Sequence, residues 1–218
     1  MNKLERFAEN DQRRHIVQPG KALFEVIKGK WADAFFGNPR PITLEIGCGR
    51  GEYTVGLARL FPNRNFIGAD VKGARIWEGG KMAEEENLHN VAFLRVRILE
   101  IEQQIAPGEI DEIWVTFPDP RPKLRDEKRR LTSDRFLSIY KNVLKPGGWM
   151  HLKTDDSQLY EYTLHRVQAR KDVTHLEFTH NLYASPLLQH HHGLQTRYEK
   201  KFLQEGKKIK YLRFQFKS

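Results

Sequence analysis

The sequence predicts an α/β fold: a mostly parallel sheet with helices on both faces and an antiparallel strand at its C-terminal end. Three observations predict it. Short apolar runs alternate with stretches of helical periodicity from residue 42 onward. The first of those runs ends in a glycine-rich turn, Glu45-Ile46-Gly47-Cys48-Gly49-Arg50-Gly51, which opens the next helix. The second run ends in a carboxylate, Asp70, and ligands of such sheets bind beyond the carboxyl ends of the strands.

The elements follow in order. Residues 1–20 are polar and close on the turn signal Pro19-Gly20, so they are expected to form a mobile arm, with 21–218 as a single domain. Ala22–Phe36 places apolar residues at near-helical spacing, and its aromatics Trp31, Phe35 and Phe36 read as core. Strands are expected at Ile42–Ile46, Asn65–Asp70, Val91–Val96, Asp111–Phe117 and Trp149–Thr154. Helices are expected between them at Tyr53–Phe61, Gly73–Glu86 and Ser133–Leu144, the last followed by Pro146-Gly147-Gly148. A further helix, Gln158–Arg170, precedes two closing strands, Val173–Leu182 and Ile209–Phe216. The final strand alternates an apolar face with a mixed one.

Composition narrows the function. A chain of 218 residues with 39% apolar residues can bury roughly 70% of its unfolded surface without staples. A single cysteine, Cys48, rules out an intrachain disulfide and a Cys-rich zinc site. No apolar run is long enough to span a bilayer, and the N-terminus lacks the apolar core of a secretory signal. A reducing cytoplasm is the expected compartment. The net charge of +9 is unevenly spread. Residues 41–116 hold 8 basic and 12 acidic side chains, whereas 117–218 hold 21 and 11. Such asymmetry points to a polyanionic partner docking on one side.

The glycine turn and Asp70 together suggest a nucleoside-containing cofactor, because a strand-end carboxylate can accept both hydroxyls of a ribose. The dinucleotide fingerprint needs a third glycine where this chain has Glu52, whose carboxylate would repel a pyrophosphate. Glu45, just before the turn, suits a cation instead. S-adenosylmethionine carries an ammonium and a sulfonium, and the pattern resembles the first motif of class I methyltransferases. Glu45, Gly47, Gly49 and Asp70 are the candidate cofactor-binding residues. Cys48, inside the turn, is a poor candidate nucleophile.

The fourth strand runs into Thr116-Phe117-Pro118-Asp119-Pro120-Arg121-Pro122-Lys123, and six basic residues fall between Arg121 and Arg130. Alternate prolines hold an extended, stiff loop, which presents Asp119 at a strand end. A carboxylate there can accept from N1–H and the exocyclic amine of a guanine. The basic run, with Arg125, Lys128, Arg129 and Arg130, suits phosphates. Three adjacent histidines, His190 to His192, cannot all face one ion, so no metal site is expected.

With these residues the chain resembles the bacterial tRNA (guanine-N7-)-methyltransferase family. The family's signature loop, PDPWPK followed by KRR, corresponds to Pro118-Asp119-Pro120-Arg121-Pro122-Lys123 and Lys128-Arg129-Arg130. Its strand-end Thr-Asp pair corresponds to Thr154-Asp155, and its T-x-Y-E element to Thr196-Arg197-Tyr198-Glu199. The resemblance spans roughly 40–216, with the elements in order. It implies a Rossmann-like class I methyltransferase fold, S-adenosylmethionine as cofactor and tRNA as partner. It implies methylation of the guanine at tRNA position 46, in the variable loop. It further implies that Asp119 is catalytic and also lines the cofactor site. By the same resemblance Lys123, Asp155, Thr196, Arg197, Tyr198 and Glu199 contact substrate. Three positions depart from the family: Arg121 replaces a Trp, Arg97 stands where Asp or Asn is common, and Asp70 replaces the more usual Glu. A methyltransferase for another RNA or a small molecule, and a non-catalytic RNA-binding module, are the alternatives. The sequence leaves the oligomeric state open between monomer and homodimer.

Overall fold

A computed structural model describes residues 2–217. Among them the strands form one sheet of eight in the order β1-β4-β3-β2-β5-β6-β8-β7. These are β1 (Ile16–Val17), β2 (Ile42–Ile46), β3 (Asn65–Asp70), β4 (Val91–Arg95), β5 (Ile110–Thr116), β6 (Leu144–Thr154), β7 (Val173–Thr179) and β8 (Lys210–Phe216). The first six run parallel; β8 pairs antiparallel with β6, and β7 antiparallel with β8. Buried on both faces, β2, β3 and β4 are nearly continuous apolar runs, as parallel strands in a covered sheet must be.

The helices are α1 (Lys3–Gln12), α2 (Ala22–Val26), α3 (Glu52–Leu60), α4 (Gly73–Glu85), α5 (Asp134–Val143), α6 (Ser157–Ala169) and α7 (Arg197–Gln204). One apolar cluster gathers around Trp31, Leu44, Ile113 and Tyr140, and a second around Tyr53, Phe66, Phe93 and Trp114. None of the helices among the described residues is long and apolar enough to cross a membrane.

Within the stretch expected as a mobile arm, Lys3–Gln12 forms a helix and Ile16–Val17 a strand. Asn2 caps α1 in a reciprocal box with Glu5. Helix α1 then packs along α4: Asn10 Nδ2 donates to the Gly73 carbonyl at 2.9 Å and Trp77 Nε1 donates to Glu9 at 2.8 Å. Arg6 lies over the Trp77 ring and pairs with Glu78 at 3.2 Å. Beyond it, Ile16 and Val17 are buried as an edge strand against Phe93 and Leu94. The polar residues that suggested solvent are partners for a helix some 70 residues away, a match that local composition does not encode. The helical stretch at Ala22–Phe36 is also broken. Gly29 interrupts it, and Trp31–Phe36 forms a separate wide turn that buries Trp31, Phe35 and Phe36 in the core.

Candidate functional site

A cleft of ≈ 770 Å³ opens at the carboxyl ends of β2, β3 and β5, within the size range of small-molecule sites. Its floor is the glycine turn. The amides of Gly47 and Cys48 donate to the Ala69 carbonyl at 2.8 and 3.1 Å, which bends the chain over the end of β3. Gly49 and Gly51 both have left-handed backbones, with φ of +57° and +78°. They need glycine for different reasons. A Cβ on Gly51 would lie 2.4 Å from the Phe93 ring, so that glycine serves packing as α3 begins. A Cβ on Gly49 would meet nothing within 4 Å; that glycine faces the open cleft, where a ligand can approach the backbone. Cys48 is buried, and burial pushes its thiol well up, so it lacks the character of a nucleophile.

Two carboxylates face this floor. Glu45 is 2% exposed, and Thr54 and Thr116 donate to its two oxygens. Burial outweighs those bonds and pushes its carboxyl up to about 7. Asp70 ends β3; its oxygens accept from the Gly49 amide at 3.1 Å and the Lys72 amide at 2.8 Å, which fixes the carboxylate against the glycine turn. Behind it, Ile98 and Leu99 add an apolar wall.

Asp119 lines the opposite side of the cleft. Its side chain is 69% exposed, and Arg121 lies 3.5 Å from it. Phe117 and Arg121 flank it with φ of +47° and +45°. Each such conformation costs a non-glycine residue on the order of 1–3 kcal/mol. Strain on both sides of one carboxylate, each strained residue followed by a proline, marks a loop held rigid at a site. Lys128, Arg129 and Arg121 line the cleft with it. Lys123 and Arg125 are exposed outside the lining. Arg130, for which a phosphate role was expected, is 3% exposed, bonded to the Arg121 carbonyl and stacked over Tyr162. Its guanidinium braces the loop from behind.

Thr196, Arg197 and Tyr198 close the cleft from a third direction. Thr196 is the N-cap of α7, its hydroxyl accepting from the Glu199 amide at 3.2 Å. The Arg197 amide donates to Glu52 at 2.8 Å, which seats this segment on the first turn of α3. Glu199 turns away from the cleft. It is fully buried, 2.8 Å from the equally buried Lys153 ammonium and 2.7 Å from His191 Nε2. Burial raises its carboxyl, but those two partners outweigh it and hold the group below the ordinary range. Glu199, for which the resemblance implied a substrate contact, stands outside the cleft lining and ties the start of α7 to Lys153 and His191. Asp155 also stands outside the lining, bonded to Lys207 at 2.9 Å.

Sequence reasoning missed Thr54, Thr116, Lys153, Ile98 and Leu99. Thr116 and Lys153 had no local signal, because each acts through a partner distant in sequence, and Thr54 reaches Glu45 only across the glycine turn. The histidine run divides three ways: His191 to Glu199, His190 to Arg213, and His192 against the Phe61 ring.

A glycine-turn floor with a buried carboxylate, a second carboxylate at the next strand end and an apolar wall fits S-adenosylmethionine. The cofactor is a nucleoside bearing cations and no phosphate. Fold and site together define a class I S-adenosylmethionine-dependent methyltransferase. The family model described as "Putative methyltransferase" matches residues 39–212. The tRNA (guanine-N(7)-)-methyltransferase of Cytophaga hutchinsonii is 45% identical over 215 residues, covering 98% of this chain and 97% of its own. That of Christiangramia forsetii is 48% identical over 224 residues, covering 99% and 98%. The chain belongs to the tRNA (guanine-N7-)-methyltransferase family. Among solved structures, the 16S rRNA methyltransferase KamB shares the fold with a TM-score of 0.63 at 16% identity, covering 91% of this chain and 94% of that one. A 16S rRNA methyltransferase from Catenulisporales acidiphilia, solved with its cosubstrate, follows at 0.59 and 15%, covering 87% and 91%.

Proposed function

We propose that this protein methylates N7 of guanine in tRNA, at position 46 of the variable loop, and works in the cytoplasm. The observation that carries the reading is Asp119, a carboxylate held by a strained, proline-stiffened loop in the same cleft as the glycine turn. When bound, S-adenosylmethionine supplies an electrophilic methyl group.

Guanine N7 already has a free lone pair, so no residue needs to remove a proton before attack. The protein's task is alignment and charge. Asp119 accepts from N1–H and the exocyclic amine of the guanine, fixing N7 toward the methyl and stabilising the positive charge that grows on the purine. Glu45 would hold the cationic amino-acid end of S-adenosylmethionine, Asp70 its ribose hydroxyls, and Ile98 with Leu99 its adenine. Tyr198, on the rim, offers a ring for the base, a surface that Arg121 does not supply as a Trp would.

Two tests follow. Treatment of a methylated transcript with borohydride and aniline cuts at 7-methylguanosine. One cut in the variable loop is expected, lost when that guanine is adenine; a cut elsewhere overturns the position, and no cut overturns the reaction. The second concerns Glu45. Its carboxyl titrates near 7 in the free protein, and only the ionised form attracts a cation. Cofactor affinity is therefore expected to rise with pH up to about 7 and then level, with proton release on binding below that pH. Calorimetry of Glu45→Gln should show weaker binding and no such pH dependence.

A further inference from the structure

Four of the cations that line the cleft are neutralised within the protein. Arg50 pairs with Glu78 at 2.8 Å, Arg121 with Asp119 at 3.5 Å, Arg129 with Asp126 at 3.0 Å and Arg97 with Glu100 at 3.7 Å. Four others, on the segments after β3 and β5, line the same cleft with exposed side chains and no ion pair among the described residues: Lys72, Arg75, Lys128 and Arg135; Arg197, on the α7 rim, also has none but donates to the Tyr198 hydroxyl at 3.2 Å. The topology divides them in two. Lys72 and Arg75 follow β3, at and just inside the start of α4, whereas Lys128 and Arg135 follow β5. Strands β3 and β5 are the two neighbours of β2 in the sheet, so the pairs stand on opposite sides of the glycine turn that ends β2.

The cofactor leaves these charges unexplained. S-adenosylmethionine has no phosphate, and its one carboxylate cannot answer all of these cations. Four unpaired cations around an open cleft repel one another unless a polyanion joins them. We propose that Lys72 and Arg75 form the second half of an RNA phosphate track, facing Lys128 and Arg135, so that the strand crosses the cleft mouth and its target base enters between the two walls. The proposal rests on the RNA-methylating reading above and extends it to a wall drawn from the acidic half of the sequence. Tyr198 reports the same field. The Arg197 guanidinium on its hydroxyl holds the phenol below its ordinary value, and Arg75 and Arg50 add to that effect from across the rim.

The test measures binding of full-length tRNA against salt for Arg75→Gln, Arg135→Gln and the double variant. Each lost phosphate contact lowers the slope of log affinity against log salt by about 0.7–0.9, so the double variant loses about twice that. Affinity for S-adenosylmethionine is measured alongside and is expected to hold. A slope that falls for Arg135→Gln and stays unchanged for Arg75→Gln overturns the two-walled track. Weakened cofactor binding with an unchanged slope in Arg75→Gln overturns it as well, by assigning that residue to the cofactor. Slope losses in a protein that forms no 7-methylguanosine support the track and overturn the proposed function instead.

Discussion

Asp119→Ala is expected to lower the methyl-transfer rate by about 10²–10³-fold, the size of effect seen when one preorganised electrostatic partner is removed from a reacting centre. The prediction follows from placement. The loop spends backbone strain at Phe117 and Arg121 to present one carboxylate at the cleft, and no other side chain from Phe117 to Lys123 carries a carboxylate for a guanine edge. Affinity for tRNA should change little, because phosphate contacts carry most of it and lie on other residues. Asp119→Asn keeps one acceptor and loses the charge, so it should fall between. Single-turnover transfer at saturating tRNA is the measurement; a rate near that of the unmodified protein would remove Asp119 from the chemistry.

Glu199→Ala is expected to cost about 3–5 kcal/mol, because it leaves the fully buried Lys153 ammonium without its carboxylate. For a domain of this size that lowers the melting temperature by roughly 10 °C. A direct substrate contact would instead weaken tRNA binding and spare stability, so thermal unfolding separates the two roles. Lys153→Met should cost less, since Glu199 keeps His191 at 2.7 Å and Tyr183 at 3.1 Å. It has a second consequence. Lys153 is one of the groups that lower the Glu45 carboxyl. Removing it should push the midpoint of pH-dependent cofactor binding above about 7.

The central sheet was legible because its determinants are local. Asn65–Asp70 and Ile42–Ile46 are short apolar runs bounded by turn residues, and the structure begins and ends those strands where the sequence does. The glycine turn, Asp70 and the proline loop were equally readable, since each carries its backbone constraint in its own residues. What escaped is long-range. Helix α1 is held by Trp77 and Glu78, far along the chain. Arg130 looked like its basic neighbours, and its packing on Tyr162 and its bond to the Arg121 carbonyl separate it from them. Summing charge by segment assigned the basic face to the second half and hid Lys72 and Arg75, because a sheet brings loops together without regard to sequence blocks. One miss did have a signal. Thr196-x-x-Glu199 is the spacing of a helix N-cap, and it does begin α7; read as a recognition motif, it concealed the helix and the inward turn of Glu199.

The most direct test of guanine-N7 methylation uses bulk tRNA from a strain lacking 7-methylguanosine. The tRNA is incubated with this protein and S-adenosylmethionine, digested to nucleosides and analysed by mass spectrometry. New 7-methylguanosine, absent when the cofactor is omitted, is the expected result. A different methylated nucleoside, or none while the protein binds both cofactor and tRNA, would contradict the proposed chemistry.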